Sequence, residues 1–189
     1  MRMNIGEEIC GSYLMYVKQC DFVDYNINTT GTSAGQGEID VIGIDQSNKL
    51  VYVCEVAVHI ITGLQYTKND RPNVYDKIKE KFDRDIAYIS GDFPRYEIIP
   101  MFWSAIVKNT KSNPAQKDLD KVRTELKSEN PSVNDLQLII NEKWNSCVTD
   151  LRNEAKKITN ELSGVMRVFQ IEEYLKDYLE HNPSSKITL

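Results

Sequence analysis

The sequence predicts an α/β domain with a central mixed β-sheet flanked by helices and a helical elaboration at its C-terminal end. Residues 37–59, GEIDVIGIDQSNKLVYVCEVAVH, read as two apolar strands joined by a short polar turn. Both faces of these strands are largely apolar, as in interior strands covered on two sides. An amphipathic helical pattern over 74–89 then leads into another apolar run at 97–107, and helical spacing prevails from residue 115 onward. The chain of 189 residues suffices for one substantial domain, with a core over 1–110 and the elaboration over 111–189 packed on it. Hydrophobic residues at 41% and charged residues at 27% mark a globular chain and not a disordered one.

In chain order, 4–20 reads as a helix: Ile5, Ile9, Tyr13, Tyr16 and Cys20 recur at helical spacing and Asn4 can cap the start. Glu7 and Glu8 suit its first turn, and Gly11 permits close packing. Residues 22–36, with their Asn, Thr, Gly and Ser, read as an irregular strand and loop, and Gly35-Gln36-Gly37 as the turn into the first strong strand. The second strand spans 50–60. A polar connection over 61–73 ends in Asn-Asp-Arg-Pro-Asn, which suits a helix start. The helix over 74–89 buries Val74, Ile78, Phe82, Ile86 and Ile89, and carries Lys77 and Lys81 one turn apart on another face. The strand over 97–107 contains Pro100, which suggests a bulge or an edge. A short charged helix over 115–128 follows, then a long helix over 133–162 with an apolar stripe from Leu136 to Leu162 that suits a core or a seam between two copies. Residues 165–169, VMRVF, offer a last strand, and Ile171, Tyr174, Leu175 and Tyr178 a closing helix. Trp103 and Trp144 read as core aromatics.

Composition sets limits on function. The formal net charge of −5 gives no overall basic field for nucleic acid, although a local basic groove can coexist with acidic remote surfaces. Cys10, Cys20, Cys54 and Cys147 are scattered and form no CxxC pair, which argues against structural zinc. The first residues carry acids where a signal peptide needs apolar ones, and no apolar run is long enough to span a bilayer. The expectation is a soluble, reduced, cytoplasmic protein with no membrane partner.

The hairpin contains two acids that an apolar strand pair does not readily tolerate. If Asp45 pairs with Leu50 across the loop 46–49, the ladder sets Asp40 directly opposite Glu55. Cross-strand Cβ atoms stand about 4.5–5.5 Å apart. Two carboxylates at that separation destabilise the fold unless a cation joins them or one is protonated. A divalent metal is the simplest resolution; a buried Arg or backbone donors are the structural alternative.

With these residues in place, the chain resembles the PD-(D/E)XK, or restriction-endonuclease-like, nuclease superfamily. It is most similar to the small bacterial members and the Holliday-junction-resolvase-like branch. The matches are Gly6-Glu7 on the first helix, Gly37-Glu38-Ile39-Asp40 at the strand start, and Val53-Cys54-Glu55-Val56-Ala57 in the next strand. They cover residues 4–107 in order and spacing. The resemblance implies a restriction-endonuclease-like fold and hydrolysis of DNA phosphodiester bonds dependent on Mg²⁺ or Mn²⁺. Asp40 and Glu55 would be metal ligands, with Glu7 a further ligand or water-positioning group and Glu8 its fallback. Carboxylates and phosphate oxygens are the donors that Mg²⁺ takes.

One motif residue departs from the family pattern. Ala57 stands where the E-x-K lysine belongs, the amine that would orient the attacking water and balance charge in the transition state. The replacements within reach are Lys81, then Lys77, from the helix over 74–89, and His59, two residues beyond Ala57. Each has a plainer reading: a helix N-terminal acid for Glu7, a solvated helix face for the lysines, a strand-end histidine for His59. The sequence therefore points to a metal-dependent DNA endonuclease, of a restriction or defence type, with a homodimer as one arrangement for duplex cleavage. The alternative is an inactive member of this fold that binds nucleic acid or protein.

Overall fold

A computed structural model describes residues 4–29, 37–131, 133–159 and 162–182. Gly35 and Gln36, expected in a turn, lie outside the described residues. Five strands form one mixed sheet in the order β1-β2-β3-β6-β7, comprising β1 (Phe22–Asn28), β2 (Glu38–Asp45), β3 (Leu50–Val56), β6 (Glu97–Ser104) and β7 (Gln137–Ile140). The first three run antiparallel, and β3, β6 and β7 run parallel. A separate two-stranded ribbon, β4 (Thr67–Lys68) and β5 (Arg71–Pro72), precedes helix α2 (Val74–Asp92).

Helices cover both faces. On one, α2 and α3 (Ala115–Glu129) bury Ile78, Phe82, Ile86, Ile89, Leu119 and Val122 against Ile42, Val51, Val53 and Phe102. On the other, α1 (Ile5–Ser12), α4 (Glu142–Lys157) and α5 (Gly164–His181) pack Cys10, Cys147, Leu151 and Met166 around Val41, Cys54, Met101 and Trp103. Each fully buried Leu, Ile or Phe contributes about 1.5–3 kcal/mol. This is the α/β architecture that the strand and helix patterns predict. Trp103 is a core residue, edge-to-face with Trp144 at 5.6 Å between ring centres.

The α1 start follows its capping residues. The Asn4 side chain accepts from the Gly6 and Glu7 amides at 2.9 and 3.1 Å, and the Glu7 carboxylate accepts in return from the Asn4 amide at 3.1 Å. A π-helical turn, Tyr13–Val17, continues α1. Gly11 is required because a Cβ there would lie 2.1 Å from the Tyr25 hydroxyl.

Residues 22–28 form a strand along β2 that is interrupted at Asn26, which has φ 55° and is passed over by the register, so the irregular strand expected there is present. The structure corrects several expectations. β3 ends at Val56, four residues short of the expected 50–60, so His59 lies beyond the strand. Pro100 sits in an interior strand, at neither a bulge nor an edge. Ile98 O accepts from Asn134 on the β7 side, and alternation turns Pro100 to that same side, where pairing begins only at Met101. No ladder bond is lost there. The long helix expected over 133–162 is instead strand β7 followed by α4, because Leu138, Ile139 and Ile140 pair with Phe102, Trp103 and Ser104. Leu136 and Ile140 had matched the helical period by coincidence. Cys147, Leu151 and Ala155 are fully buried in this chain's own core, so that stripe is no free seam for a second copy. The last strand expected at 165–169 is the first part of α5, whose start is capped by Ser163 and by the Glu8 carboxylate accepting from the Val165 amide at 2.8 Å. Among the described residues no helix is long and apolar enough to cross a membrane.

Candidate active site

The hairpin loop sets the register that brings the site together. Asp45 closes the loop by accepting from the Asn48 amide at 2.8 Å and its side chain at 2.6 Å, which holds the Asp45 carboxyl below its usual range. Asp45 then pairs with Leu50, and the ladder runs back to Val41 opposite Cys54. The paired register ends there, so the expected direct pairing of Asp40 with Glu55 is not part of the ladder; the two acids meet instead through Lys81. The Asp40 carboxylate accepts from the Val56 amide at 2.7 Å. Glu55 lies in the penultimate position of β3 and is 1% exposed, against 13% for Asp40.

Helix α2 delivers the cations. Lys81 donates to the Glu55 carboxylate and lies 3.7 Å from Asp40 Oδ2, so one ammonium serves both acids. Its buried neighbours Ile78 and Phe82 fix the rotation of α2 that turns Lys81 inward. Arg84 lies 3.4 Å from Glu55 Oε1 and donates to Glu38 O at 2.9 Å and to Asp85 Oδ1 at 2.8 Å. The guanidinium passes so close to Gly37 that a Cβ there would lie 2.0 Å from it. The glycine of the GEID stretch is thus an opening for Arg84.

Burial sets the electrostatics. Burial works to lower the Lys81 pKa, but Glu55 and Asp40 outweigh it and hold the ammonium above its usual range. Burial raises the Glu55 carboxyl well above its usual range; Lys81 opposes that, while Asp40 and Asp85 add to it. Burial likewise raises Asp85, against the pull of Glu55 and Arg84. Asp85 Oδ2 is buried with no donor, and a proton shared with Glu55 would satisfy it. The directions agree with the charge count: Asp40, Glu55 and Asp85 face Lys81 and Arg84, so one negative charge is in surplus unless a proton is retained.

The other candidates have different positions. Glu7 is taken up by the Asn4 capping box, on the helix that covers the sheet face opposite α2. Glu8 caps α5. Lys77 is exposed on α2 and lies 3.8 Å from Glu80. His59 packs its ring edge-to-face on Tyr66 at 5.8 Å. Among the described residues none of these four is bonded to Asp40 or Glu55. Ala57 is buried in the same cluster as Leu64 and Ile78.

Sequence reasoning missed Asp85, Tyr66 and the inward reach of Arg84. Asp85 had a signal: Ile78, Phe82, Asp85 and Ile89 share one helical stripe, so an acid stands where the core expects an apolar residue. Tyr66 comes from a loop and left none. Burial raises its phenol pKa, with Lys81 opposing the rise and Glu55 and Asp40 adding to it.

Asp40 and Glu55 offer oxygen donors only, and of their four oxygens the described bonds leave Asp40 Oδ1 free, with Glu55 Oε2 on Lys81, Glu55 Oε1 on Arg84 and Asp40 Oδ2 on the Val56 amide. Among the described residues no third His, Cys, Asp or Glu joins them in a metal-holding group. Mg²⁺ needs only one or two carboxylates where phosphate and water complete its shell. No protein-family model, curated protein or solved structure matches this chain.

Proposed function

We propose that this chain is a Mg²⁺- or Mn²⁺-dependent DNA endonuclease in which the amine has moved from the strand to α2. The observation that carries the reading is the contact of Lys81 with Glu55 and its approach to Asp40. Ala57, just past the end of β3, brings no amine, and Lys81 supplies one to the same two acids.

Asp40 and Glu55 would hold the cation. A cation held there would supply Lewis-acid polarisation of a phosphoryl oxygen and a more acidic water. Lys81 keeps its proton at neutral pH because its pKa is raised. It therefore acts as a fixed positive charge and hydrogen-bond donor toward phosphoryl oxygens, not as a base. Tyr66, whose phenol pKa is raised by burial, also keeps its proton. Arg84 holds Glu55 in position from behind and ties it to the start of β2.

The second reading is an inactive binding module of the same fold. It draws on Glu55 being closed on both oxygens by Lys81 and Arg84, and on Glu7 being taken up elsewhere. Plasmid cleavage in Mg²⁺ or Mn²⁺ decides between them. Loss of cleavage in Asp40→Ala and Glu55→Gln, with the wild type active, supports the nuclease. Cleavage that survives either substitution removes this site from the reaction. Metal binding by calorimetry without cleavage favours the binding module.

A further inference from the structure

The parallel strands β3 and β6 end side by side, Val56 opposite Trp103, so the segments that follow both leave from the edge where Glu55 lies. Ligands of open α/β sheets bind outside the carboxyl ends of the strands. Two segments build this edge, residues 57–73 and 105–114. They are joined by the Leu64 amide donating to Ile106 O at 2.7 Å and the Asn113 side chain donating to Leu64 O at 3.0 Å.

Their composition departs from that of the chain. In a protein of net charge −5, these segments carry Lys68, Arg71, Lys108 and Lys111 against the single acid Asp70. All four cations are exposed, and among the described residues none has an ion-pair partner. By contrast Lys77, Lys79, Lys81 and Arg84 on the adjoining helix are all paired. Lys68 and Arg71 flank the tight turn Asn69-Asp70, both residues at positive φ, and line an open cavity of ≈ 430 Å³ with Asn73 and Asp76. Lys108 stands at Gly63, where a Cβ would lie 3.3 Å from its Cε.

At the tip stand Ile60 and Ile61, 67% and 95% exposed, with Ile106 beside Gly63. An isoleucine in water beside unpaired cations has no phosphate to meet, but it has a base. We propose that this edge seats the DNA, with its phosphates on Lys68, Arg71, Lys108 and Lys111 and Ile60–Ile61 pressed into a base step. The preferred substrate is then DNA that already carries an unstacked step, such as a gap, a mismatch or a splayed end. Apolar wedges open base steps at a cost of a few kcal/mol, and a step already open does not impose it. The proposal rests on the DNA reading above and gives that site its substrate class.

The test is binding, by fluorescence anisotropy in EDTA, so that it does not depend on cleavage. Labelled splayed-end DNA should bind about tenfold or more tighter than an intact duplex of the same sequence. Ile60→Ser/Ile61→Ser, at exposed positions, should remove that preference and leave duplex affinity in place. Lys68→Ala/Arg71→Ala should weaken both DNAs and lower the slope of log K against log salt by about 1.8 on the duplex. Equal affinity for the two DNAs, or a preference that survives the isoleucine double variant, overturns the proposal. So does sedimentation with phosphatidylserine vesicles that depends on Ile60 and Ile61 in the absence of DNA binding. If Asp40→Ala abolishes cleavage while the isoleucine variant keeps the preference, this inference falls and the nuclease reading stands. If the preference is present and Ile60–Ile61-dependent but no metal supports cleavage, the inference stands and the nuclease reading falls.

Discussion

Lys81 reaches from α2 to bond the carboxylate of Glu55 on β3, a contact between the helix layer and the sheet in which the acid is 1% exposed. A buried carboxylate with two cationic partners does not tolerate the loss of one. Lys81→Met should lower unfolding stability by about 3 kcal/mol, since it leaves Glu55 with Arg84 alone. Adding Glu55→Gln should recover part of that loss, because the charge left unpaired is gone. Lys77→Ala, on the exposed face, should stay within about 0.5 kcal/mol of wild type and keep full cleavage. Urea midpoints of the four proteins, with plasmid cleavage alongside, check this. A Lys77→Ala variant that loses cleavage would reverse the assignment of the amine.

The Glu55–Asp85 pair ties stability to pH. Both carboxyls are raised by burial in the folded chain, so the folded state holds its proton more tightly than the unfolded one. That contribution is fully present below the unfolded carboxyl pKa of about 4 and is lost as pH rises through the folded value. Wild-type stability should therefore fall as pH climbs from about 4 toward neutrality, with a limiting slope of about 1.4 kcal/mol per pH unit for one proton. Asp85→Asn removes the surplus charge and should flatten the curve, with the two proteins converging at low pH. Denaturant midpoints across that range would show it, and parallel curves would exclude a shared proton.

Gly37 and Arg84 should be energetically coupled. A methyl group at Gly37 would sit 2.0 Å from the guanidinium, which is held by Glu38 O, Asp85 and Glu55 and can retreat only by breaking one of those bonds. Gly37→Ala should cost about 1–3 kcal/mol in the wild type. In an Arg84→Ala background the same change should cost little. A double-mutant cycle that gives simple additivity would mean the glycine serves another purpose.

The parts of this fold that were legible in the sequence are those governed by local period. The hairpin register followed from the length of the 46–49 loop, because every pair from Asp45 and Leu50 back to Val41 and Cys54 is then determined. The buried face of α2 followed from Val74, Ile78, Phe82, Ile86 and Ile89, and its Lys81 fell toward the acids as a consequence. β7 was hidden because a four-residue apolar run carries no period of its own and adjoined a true helix. Its identity depends on β6, a partner more than thirty residues away. Tyr66 was hidden for the same reason, since a loop residue reaches a site through tertiary anchors such as the Leu64 bond to Ile106. Asp85 was legible and overlooked: a charge on an apolar stripe signals a buried partner, which here is Arg84.

Glu7 separates a structural acid from a catalytic one, because its two roles respond differently to the same substitutions. In the capping box the two carboxylate oxygens accept from the Asn4 backbone amide and from its side-chain amide, and a glutamine keeps the first bond but not the second. A metal ligand or water-positioning group needs the charge. Glu7→Gln should therefore fold with only a small loss of stability and cleave at the wild-type rate, whereas Glu7→Ala should lose about 1 kcal/mol by removing both bonds that Glu7 accepts, the Asn4 cap remaining. Mg²⁺ titration by calorimetry should give the same affinity for Glu7→Gln as for wild type, with Asp40→Asn as the control that loses it. A Glu7→Gln variant that folds normally but binds Mg²⁺ less tightly would bring this residue into the site. It would then require the Asn4 contact to open when metal and DNA are bound.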